Sequence, residues 1–402
     1  MENHSLADSG FQPIKPESRF YFLQPKGQGL GAYNKWQSIS DIFPTYSVGI
    51  VTARDSFAIA FSRDELMRRI HQFREKNLPD AIIAQTYGVQ DTQAWSLSEA
   101  RDAIRRDPNA EHKIYPILYR PFDQRFILYH KAIIERPRYK VMRHMLAGEN
   151  MGIVVTRQVK TSETWQHALV ADRIIESCYV SNKTSEIGYL FPLYRHSSSK
   201  DKLSLGVESN IGPNIDQLLQ NTYGDIFTPE RLLAYIYAIL YAPMYRNKYV
   251  EALCVDFPRI PFPQERQVFE RLAELGQRLI DLHLLRCEPP PASIKYEGEG
   301  SDTIDTPFYD ETQQRLYLKK PRKGEPARYF TGITPELWNY EIGGYKVLPK
   351  YLKARKGRRL EDPIYFLRIA RALAETIHVQ QQIDKVYPQV EAALLAMQLT
   401  NG

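Results

Sequence analysis

The spacing of apolar residues along the N-terminal part of the chain predicts extended segments followed by helices. The alternation in Tyr46–Phe61 is typical of extended structure with a bend at Gly49. Helical spacing begins in Ser62–Asn77, where Ser62 is a candidate N-cap because a glutamate follows three residues later. A second serine-capped helix is predicted over Ser96–Arg106.

The pattern becomes strand-like between Lys113 and Tyr194. Short runs rich in β-branched and aromatic residues alternate with polar residues there, which indicates a β-rich core. The predicted strands are IYPILY, RFILYH, MGIVVTRQ, ALVADRIIESCYV and EIGYLFPLY.

Helical spacing returns in the second half of the chain. A helix is predicted over Thr228–Leu253, because a capping threonine is followed by proline at the first helical position. The proline-rich segment Phe257–Pro263 interrupts the helical pattern, which resumes from about Gln264 to Leu285.

A stiff segment, Glu288–Ala292, marks a domain boundary, and strand-like pieces follow it. The chain closes with a long predicted helix, Pro363–Met397, interrupted at Pro388. We expect a mixed α+β protein in which helical segments flank a β-rich recognition core and a smaller C-terminal α/β part ends in long helices. The predicted divisions are an N-terminal α/β segment at 1–110, the core with its helices at 111–287, and a basic subdomain at 293–402.

Composition is that of a globular protein of more than one domain. The 402 residues are 43% hydrophobic and 25% charged, and no run approaches the roughly 18 apolar residues that cross a bilayer. We therefore expect a cytoplasmic protein that does not enter membranes. Three widely spaced cysteines form neither a disulfide framework nor a metal knuckle.

Positive charge is concentrated in three segments. The net charge is +6, and His112–Lys160 alone holds ten Lys/Arg against three acidic residues. Lys350–Arg359 adds six cations without an acid, and Lys319–Lys323 is a third cluster. Cations interleaved with aromatic residues are typical of proteins that bind polyanions. The alternative for any one cluster is a solvated basic surface.

Motifs of catalysis are missing or incomplete. The glycine-rich Lys26–Gly31 lacks the spacing of a dinucleotide fingerprint and is interpreted as a loop. Asp107, Glu111 and Lys113 fit a nuclease pattern poorly, because a turn separates them. The sequence has no Asn/Asp-Pro-Pro-aromatic tetrad, no Gly-x-Ser-x-Gly elbow and no His-x₃-His pair. We predict neither a complete catalytic set nor a metal site.

The stretch ILYRPFDQRFILY joins arginine, aspartate and aromatic residues. Asp123 lies within reach of both Arg120 and Arg125. Two interpretations remain open: an Arg–Asp fork that locks a turn, or arginines that contact phosphate. The segments Ile133–Lys140 and Gln158–Thr164 are predicted to supply base contacts, and the basic clusters to contact phosphates. The predicted DNA-binding residues are Arg120, Arg125, Arg136, Arg138, Lys140, Arg157, Gln158, Lys160, Lys350, Lys353, Arg355, Lys356, Arg358 and Arg359.

Six ordered blocks resemble the C-terminal specificity region of type ISP restriction-modification enzymes and related adenine methyltransferase-nucleases, and the resemblance spans about Tyr46 to about Ile383. The blocks are YRPFDQR, ENMGIVVTRQ, GYLFPLY, TPERLLAYIYAILYAPMYRNKYVEAL, DFPRIPFP and YEIGGYKVLPKYLKARKGR. In that family the nuclease, motor and adenine-N6 methyltransferase precede a target recognition domain. The resemblance implies that this chain is that last part and that its partner is duplex DNA.

Nuclease, motor and methyltransferase motifs do not precede these blocks in the sequence. The resemblance therefore implies S-adenosylmethionine, ATP and Mg²⁺ only for a catalytic methyltransferase or nuclease partner, with no cofactor in this chain. A stand-alone specificity protein, a split product and an excised fragment all fit. Two rival hypotheses are a residual site-specific methyltransferase or nuclease, and a protein-docking subunit of a phage-defence complex.

Overall fold

The computed structural model describes residues 30–160, 164–183, 186–197, 206–290 and 293–396. Several small antiparallel sheets are combined with helices, so the predicted mixed α+β class is confirmed. Most of the glycine-rich loop and part of the predicted loop Gln158–Thr164 lie outside the described residues.

The helices range from single turns to one of 30 residues. The described helices are α1 Leu30–Tyr33, α2 Ile39–Ile42, α3 Asp55–Ala58, α4 Arg63–Arg74, α5 Asp80–Tyr87, α6 Leu97–Arg106, α7 Tyr139–Leu146, α8 Pro213–Tyr223, α9 Pro229–Tyr241, α10 Pro243–Lys248, α11 Val250–Val255, α12 Arg266–His283, α13 Pro335–Trp338, α14 Val347–Lys353 and α15 Pro363–Ala392.

The strands are short. The described strands are β1 Gln37–Ser38, β2 Ser47–Val48, β3 Ile59–Ala60, β4 Ile114–Arg120, β5 Asp123–Leu128, β6 Gly152–Thr156, β7 Ala168–Ala171, β8 Gly188–Pro192, β9 Tyr194–His196, β10 Val207–Ser209, β11 Arg259–Ile260, β12 Lys295–Gly298, β13 Phe308–Asp310, β14 Arg315–Tyr317, β15 Arg328–Thr331, β16 Glu341–Ile342 and β17 Tyr345–Lys346.

Three sheets contain more than two strands. Their strand orders are β2-β8-β6-β7, β3-β5-β4 and β12-β15-β14-β13, and all of the pairings are antiparallel. The pairs β1-β11, β9-β10 and β16-β17 form smaller ladders. Every predicted strand of the β-rich segment contains an observed strand, although the strand within ALVADRIIESCYV, β7, covers only Ala168–Ala171, and Ile175 and Glu176 form isolated bridges.

The sheet β2-β8-β6-β7 lies between two hydrophobic clusters. In β6, Ile153 and Val155 belong to one cluster, and Val154 belongs to the other. This follows from the two-residue period of a strand, because successive side chains point to opposite faces. Both faces of the sheet are therefore buried, which explains the apolar run GIVVT.

The first cluster is built around helices α9, α12 and α15. Every residue of α9 from Leu232 to Tyr241 is buried, so this helix is surrounded on all sides. Gly276 of α12 contacts its backbone: a Cβ there would lie 1.8 Å from the carbonyl oxygen of Ala234. Glycine is required at this position because any side chain would force the two helices apart.

The second cluster combines central and C-terminal segments of the chain. It contains Ile117 and Phe122 of the central part together with Leu316 and Phe366 of the last part of the chain. The division at 1–110, 111–287 and 293–402 stays a prediction.

The helices of the described ranges contain no apolar stretch long enough to cross a membrane.

The predicted helix starts are confirmed by capping hydrogen bonds. The hydroxyl groups of Ser62, Ser96 and Thr228 accept from the backbone N–H three residues later. These caps satisfy N–H groups that have no partner within the helix.

Two proline predictions are wrong in opposite ways. The helix predicted over Thr228–Leu253 is divided, because Pro243 forces Ala242 into an extended conformation and starts α10. In contrast, α15 continues through Pro388 as far as Ala392. Tyr387 is buried in the first cluster, so packing of the helix on both sides of Pro388 offsets the roughly 3 kcal/mol cost of an interior proline.

Candidate nucleic-acid interface

The stretch YRPFDQR forms the turn of the β4–β5 hairpin, and its aspartate is buried. Phe122 adopts φ 58° in the turn, and Asp123 is 1% exposed. Asp123 Oδ2 accepts from Arg125 Nη2 at 2.7 Å and from Nε at 3.1 Å. Its other oxygen, Oδ1, accepts from Arg355 Nη2 at 2.7 Å. The fork therefore holds two arginines, one of them from the C-terminal basic cluster.

Aromatic rings cover both arginines of the fork. The Arg125 guanidinium lies 4.0 Å from the ring centroid of Tyr119, and the Arg355 guanidinium lies 3.6 Å from that of Tyr351. A guanidinium over an aromatic face is attracted to the electron density of the ring. This explains why aromatic residues surround the charges in the sequence of this hairpin.

Arg120 is held by a different acid. Its Nη1 lies 2.5 Å from Glu176 Oε2. Burial alone would lower the pKa of Arg120, but the Glu176 carboxylate together with Tyr119 and Cys178 raises that pKa above its ordinary value. Each of these guanidinium groups is thus paired with an acid of the same chain: that of Arg120 with Glu176, and those of Arg125 and Arg355 with Asp123. The contacts of Arg125 and Arg355 favour the interpretation as a structural fork, and contact of these three arginines with DNA stays a prediction.

The motif YEIGGYK forms the β16–β17 hairpin that leads into α14. Its two-residue turn consists of Gly343 and Gly344, with φ 58° and 67°. A Cβ on Gly343 would lie 2.2 Å from the carbonyl oxygen of Val180. Both the turn type and this close approach require glycine. The hairpin fixes the start of the helix that carries the basic cluster.

The remaining cations of the C-terminal cluster lie at the surface. Lys353 and Lys356 are exposed, whereas Lys350 is half-buried with its Nζ 5.9 Å from the ring of Tyr345. Lys356 also lies 3.9 Å from Asp305, the longest ion pair among the described residues. Two of these lysines are thus exposed to a partner.

Arg358 and Arg359 contact acids but keep exposed surface. Arg358 donates to Glu65 at 3.0 Å, and Arg359 donates to Asp302 at 3.3 Å. Their side chains are 48% and 75% exposed. Exposed pairs of this kind contribute little to stability, so a phosphate can compete for either arginine.

The loop before α7 and the first turn of that helix contain three of the predicted residues. Arg136 is exposed and lies 3.6 Å from Glu135. Arg138 adopts φ 55° immediately before α7, and its Nε is buried without a hydrogen-bond partner in the described part of the chain. Lys140 is exposed in the first turn of α7.

Arg157, Gln158 and Lys160 follow the end of β6. Arg157 is 55% exposed and donates to Asp256 at 2.8 Å, and this hydrogen bond raises the pKa of the guanidinium. Gln158 is half-buried and Lys160 is exposed.

A groove beside α7 was missed at the level of sequence. We call it the tyrosine groove; it has a volume of about 620 Å³. Its lining residues include tyrosines and cations from the segment His112–Lys160. They are Lys113, Tyr115, Tyr129, Lys131, Tyr139 and Arg143, and His196 from β9 also lines the groove. The charge count pointed to this segment, but the tyrosines belong to separate elements and show no common spacing.

The three residues of the weak nuclease pattern, Asp107, Glu111 and Lys113, do not form one site. Asp107 pairs with Lys113 at 2.5 Å, whereas Glu111 pairs with Arg74 at 2.6 Å. Over the described ranges, no group of three or more His, Cys, Asp or Glu residues is placed to hold a metal ion.

A buried polar group elsewhere resembles a catalytic triad in composition only. Glu186 accepts from Ser181 Oγ at 2.7 Å and lies 3.1 Å from His167 Nε2. Ser181 contacts the carboxylate rather than the imidazole, and all three residues are buried. Burial lowers the pKa of His167 to about 4. This geometry is that of a packed polar network rather than of an activated nucleophile.

Three solved structures share this fold. A cryo-EM structure of a DrdV–DNA complex matches with a TM-score of 0.67 and 20% identity, over 95% of this chain and 41% of that one. A nuclease-deletion mutant of the type ISP restriction-modification enzyme LlaGI, in complex with a DNA substrate mimic, gives 0.62 and 17%, over 88% and 29%. The ATP-dependent type ISP enzyme LlaBIII bound to DNA gives 0.64 and 17%, over 88% and 24%.

The present chain spans less than half the length of each of these solved chains. A comparison with curated protein sequences gives no match. The model of the type ISP C-terminal specificity domain matches residues 41–377, which is most of the sequence. The resemblance seen in the sequence blocks is thereby confirmed, and the chain belongs to the family of type ISP C-terminal specificity domains.

Proposed function

We propose that this chain is a sequence-specific DNA target recognition module of a type ISP-like restriction-modification system. Family membership over residues 41–377 is the observation that carries the proposal. The shared fold with solved enzymes that are bound to DNA supports it. The module binds duplex DNA and positions a catalytic methyltransferase or nuclease.

Exposed cations supply the phosphate contacts in this proposal. Phosphate contacts set the position and orientation of a protein on the duplex without reading its sequence. The members of the proposed set keep exposed or half-buried charge at the surface. They are Lys350, Lys353, Lys356, Arg358 and Arg359 around α14, with Arg136, Lys140 and Lys160 in the central segment.

Base contacts come from the loops before α7 and after β6. Arginine and glutamine have the donor and acceptor geometry that suits guanine and adenine edges in the major groove. Arg138, Arg157 and Gln158 lie in these two loops. Arg157 donates a hydrogen bond to Asp256. A base contact by Arg157 either breaks this hydrogen bond or forms beside it.

The family description indicates recognition rather than catalysis. We assign S-adenosylmethionine, ATP and Mg²⁺ to a catalytic partner polypeptide or to another part of the same enzyme. The proposed location is the cytoplasm, where such an enzyme meets DNA.

Selection from a random duplex library tests the function directly. Repeated rounds of binding and sequencing are expected to enrich one short motif, because base contacts discriminate by about 1–3 kcal/mol for each good pair. Enrichment without a motif, or the absence of duplex binding, contradicts the proposal. Parallel incubation with labelled S-adenosylmethionine tests the rival enzymatic hypothesis.

A further inference from the structure

The tyrosine groove combines three aromatic side chains from three elements. Tyr115 belongs to β4, Tyr129 follows β5, and Tyr139 begins α7. The ring centroids of Tyr115 and Tyr129 are 6.3 Å apart in an edge-to-face arrangement. Tyr129 donates its hydroxyl to the carbonyl of Pro137 at 2.5 Å, which fixes the ring beside the loop. Tyr139 is 62% exposed, so its ring is accessible to a ligand in the groove.

The charge of the groove has one sign. Lys113, Lys131 and Arg143 line it, and none of the described lining residues is Asp or Glu. Lys113 is partly neutralised from outside the groove by Asp107. No ion pair connects Lys131 or Arg143 to an acid within the described residues. The groove therefore attracts an anion.

Two buried polar atoms in the groove have no partner. Arg143 Nε and His196 Nε2 make no hydrogen bond within the described part of the protein. The backbone N–H of His196 donates to His144 Nδ1 at 2.9 Å, which fixes the backbone at this position. Both atoms lie beneath the surface of the groove, whereas both residues are half-buried overall, so a ligand can reach the exposed parts of the two side chains.

A second groove of about 320 Å³ continues from this one. It shares Arg143 and His196 and adds Lys140 and Arg195. Glu208 pairs with Arg195 at 3.3 Å and is the acid among its lining residues. The cations thus extend past the aromatic groove, as expected where a phosphodiester chain continues beyond one nucleotide.

The geometry points to the tyrosine groove as a binding site for a single unstacked nucleotide. The base lies against Tyr139 and Tyr129, because every base has a face that stacks on an aromatic ring. The phosphate is held by Arg143, Lys131 and His196. An aliphatic anion cannot stack on the tyrosine rings, and a neutral aromatic ligand cannot pair with the cations. A nucleotide does both.

The nucleotide comes either from the bound DNA or from a free nucleoside monophosphate. The first source deepens the proposed function and rests on it. Calorimetric titration of deoxyadenosine 5′-monophosphate into the full chain, with and without saturating duplex, distinguishes these sources. Loss of nucleotide binding in the presence of duplex assigns the groove to the DNA. Unchanged binding assigns it to the free nucleotide.

The variants isolate the ring and the charge. Tyr139→Ala is expected to weaken nucleotide binding by about five- to a hundredfold, as for loss of one stacking platform. Tyr139→Phe keeps the ring and is expected to retain affinity. Lys131→Ala is expected to weaken binding, whereas Lys76→Ala, which removes an exposed lysine that does not line the groove, serves as its matched control.

Absence of nucleotide binding at millimolar concentration overturns the inference, as does equal affinity of Tyr139→Ala, Lys131→Ala and the wild type. A gel shift with duplex on the same preparations separates the two proposals. A chain that binds the nucleotide but no duplex refutes the recognition function and leaves the groove assigned. A chain that binds duplex but no nucleotide refutes the assignment of the groove and leaves the recognition function standing.

Discussion

Arg355 Nη2 donates to Asp123 Oδ1 at 2.7 Å, although 232 residues separate them in the chain. The contact fastens the basic segment after α14 to the turn of the β4–β5 hairpin. Arg125 occupies the other carboxylate oxygen. A single buried aspartate therefore fixes a central hairpin and a C-terminal surface relative to each other, and with them the cations that we assign to phosphate.

Asp123→Ala is expected to destabilise the protein by about 3–5 kcal/mol, because it leaves two arginines that are only 15% and 13% exposed without a carboxylate. Denaturant unfolding followed by circular dichroism measures this change. Lys353→Ala, on the exposed side of the adjoining helix, is the control and is expected to stay within about 0.5 kcal/mol of the wild type. Equal stability of the two variants contradicts the role of the fork.

Duplex affinity is expected to depend steeply on salt. If about six phosphates are contacted, affinity falls by about a thousandfold between about 50 and 200 mM monovalent salt, because each neutralised phosphate releases counterions. A gel-shift series across this range gives the slope. A flat response shows that phosphate contacts do not drive binding.

Simultaneous replacement of Lys356, Arg358 and Arg359 by alanine is expected to weaken binding to all duplexes alike. The salt slope should fall by about one for each lost phosphate contact. Thermal unfolding provides the folding control, since Arg358 and Arg359 also contact Glu65 and Asp302. A variant that changes the preferred sequence instead would reassign this cluster to base recognition.

Gln158→Ala is expected to relax preference at one base pair of the enriched motif while non-specific affinity stays near the wild-type value. Loss of one good side-chain contact to a base removes about 1–3 kcal/mol of discrimination. Lys160→Ala is the matched neighbour and is expected to weaken binding uniformly. Competition with single-base variants of the motif distinguishes the two effects, and identical profiles for the two variants would refute the division.

Stability is expected to fall as the pH drops below about 6.5. Burial lowers the pKa of His144 to about 4 and that of His283 to about 3, so both residues are neutral in the folded state. Their stabilising contribution is complete above the unfolded pKa of about 6.5 and is lost as pH falls from there towards the folded values, by up to about 1.4 kcal/mol per pH unit for each group. Denaturant unfolding at about pH 7 and about pH 5 measures it.

His144→Gln provides the comparison, because a glutamine oxygen can accept the hydrogen bond from the backbone N–H of His196 without titrating. The variant is expected to show a smaller loss of stability over the same interval. Equal stability of the wild type at both pH values would contradict the assignment of neutral buried histidines.

The sequence by itself determined the class of the fold, the capped helix starts and the blocks that identify the family. Caps at Ser62, Ser96 and Thr228 were predictable because a cap involves residues three apart. The strands of the central segment were predictable because alternation is a local property. Clustered positive charge likewise indicated a polyanion partner before any contact was known.

Only the tertiary structure decided which cations face inward. Arg125 and Arg355 belong to the basic segments, yet both bind Asp123, and one of those contacts spans 232 residues. The helix α15 continues through Pro388 because distant segments pack around it. The tyrosine groove is formed by rings from three different elements. Burial and pairing depend on which residues meet after folding, and local spacing does not encode such long-range contacts.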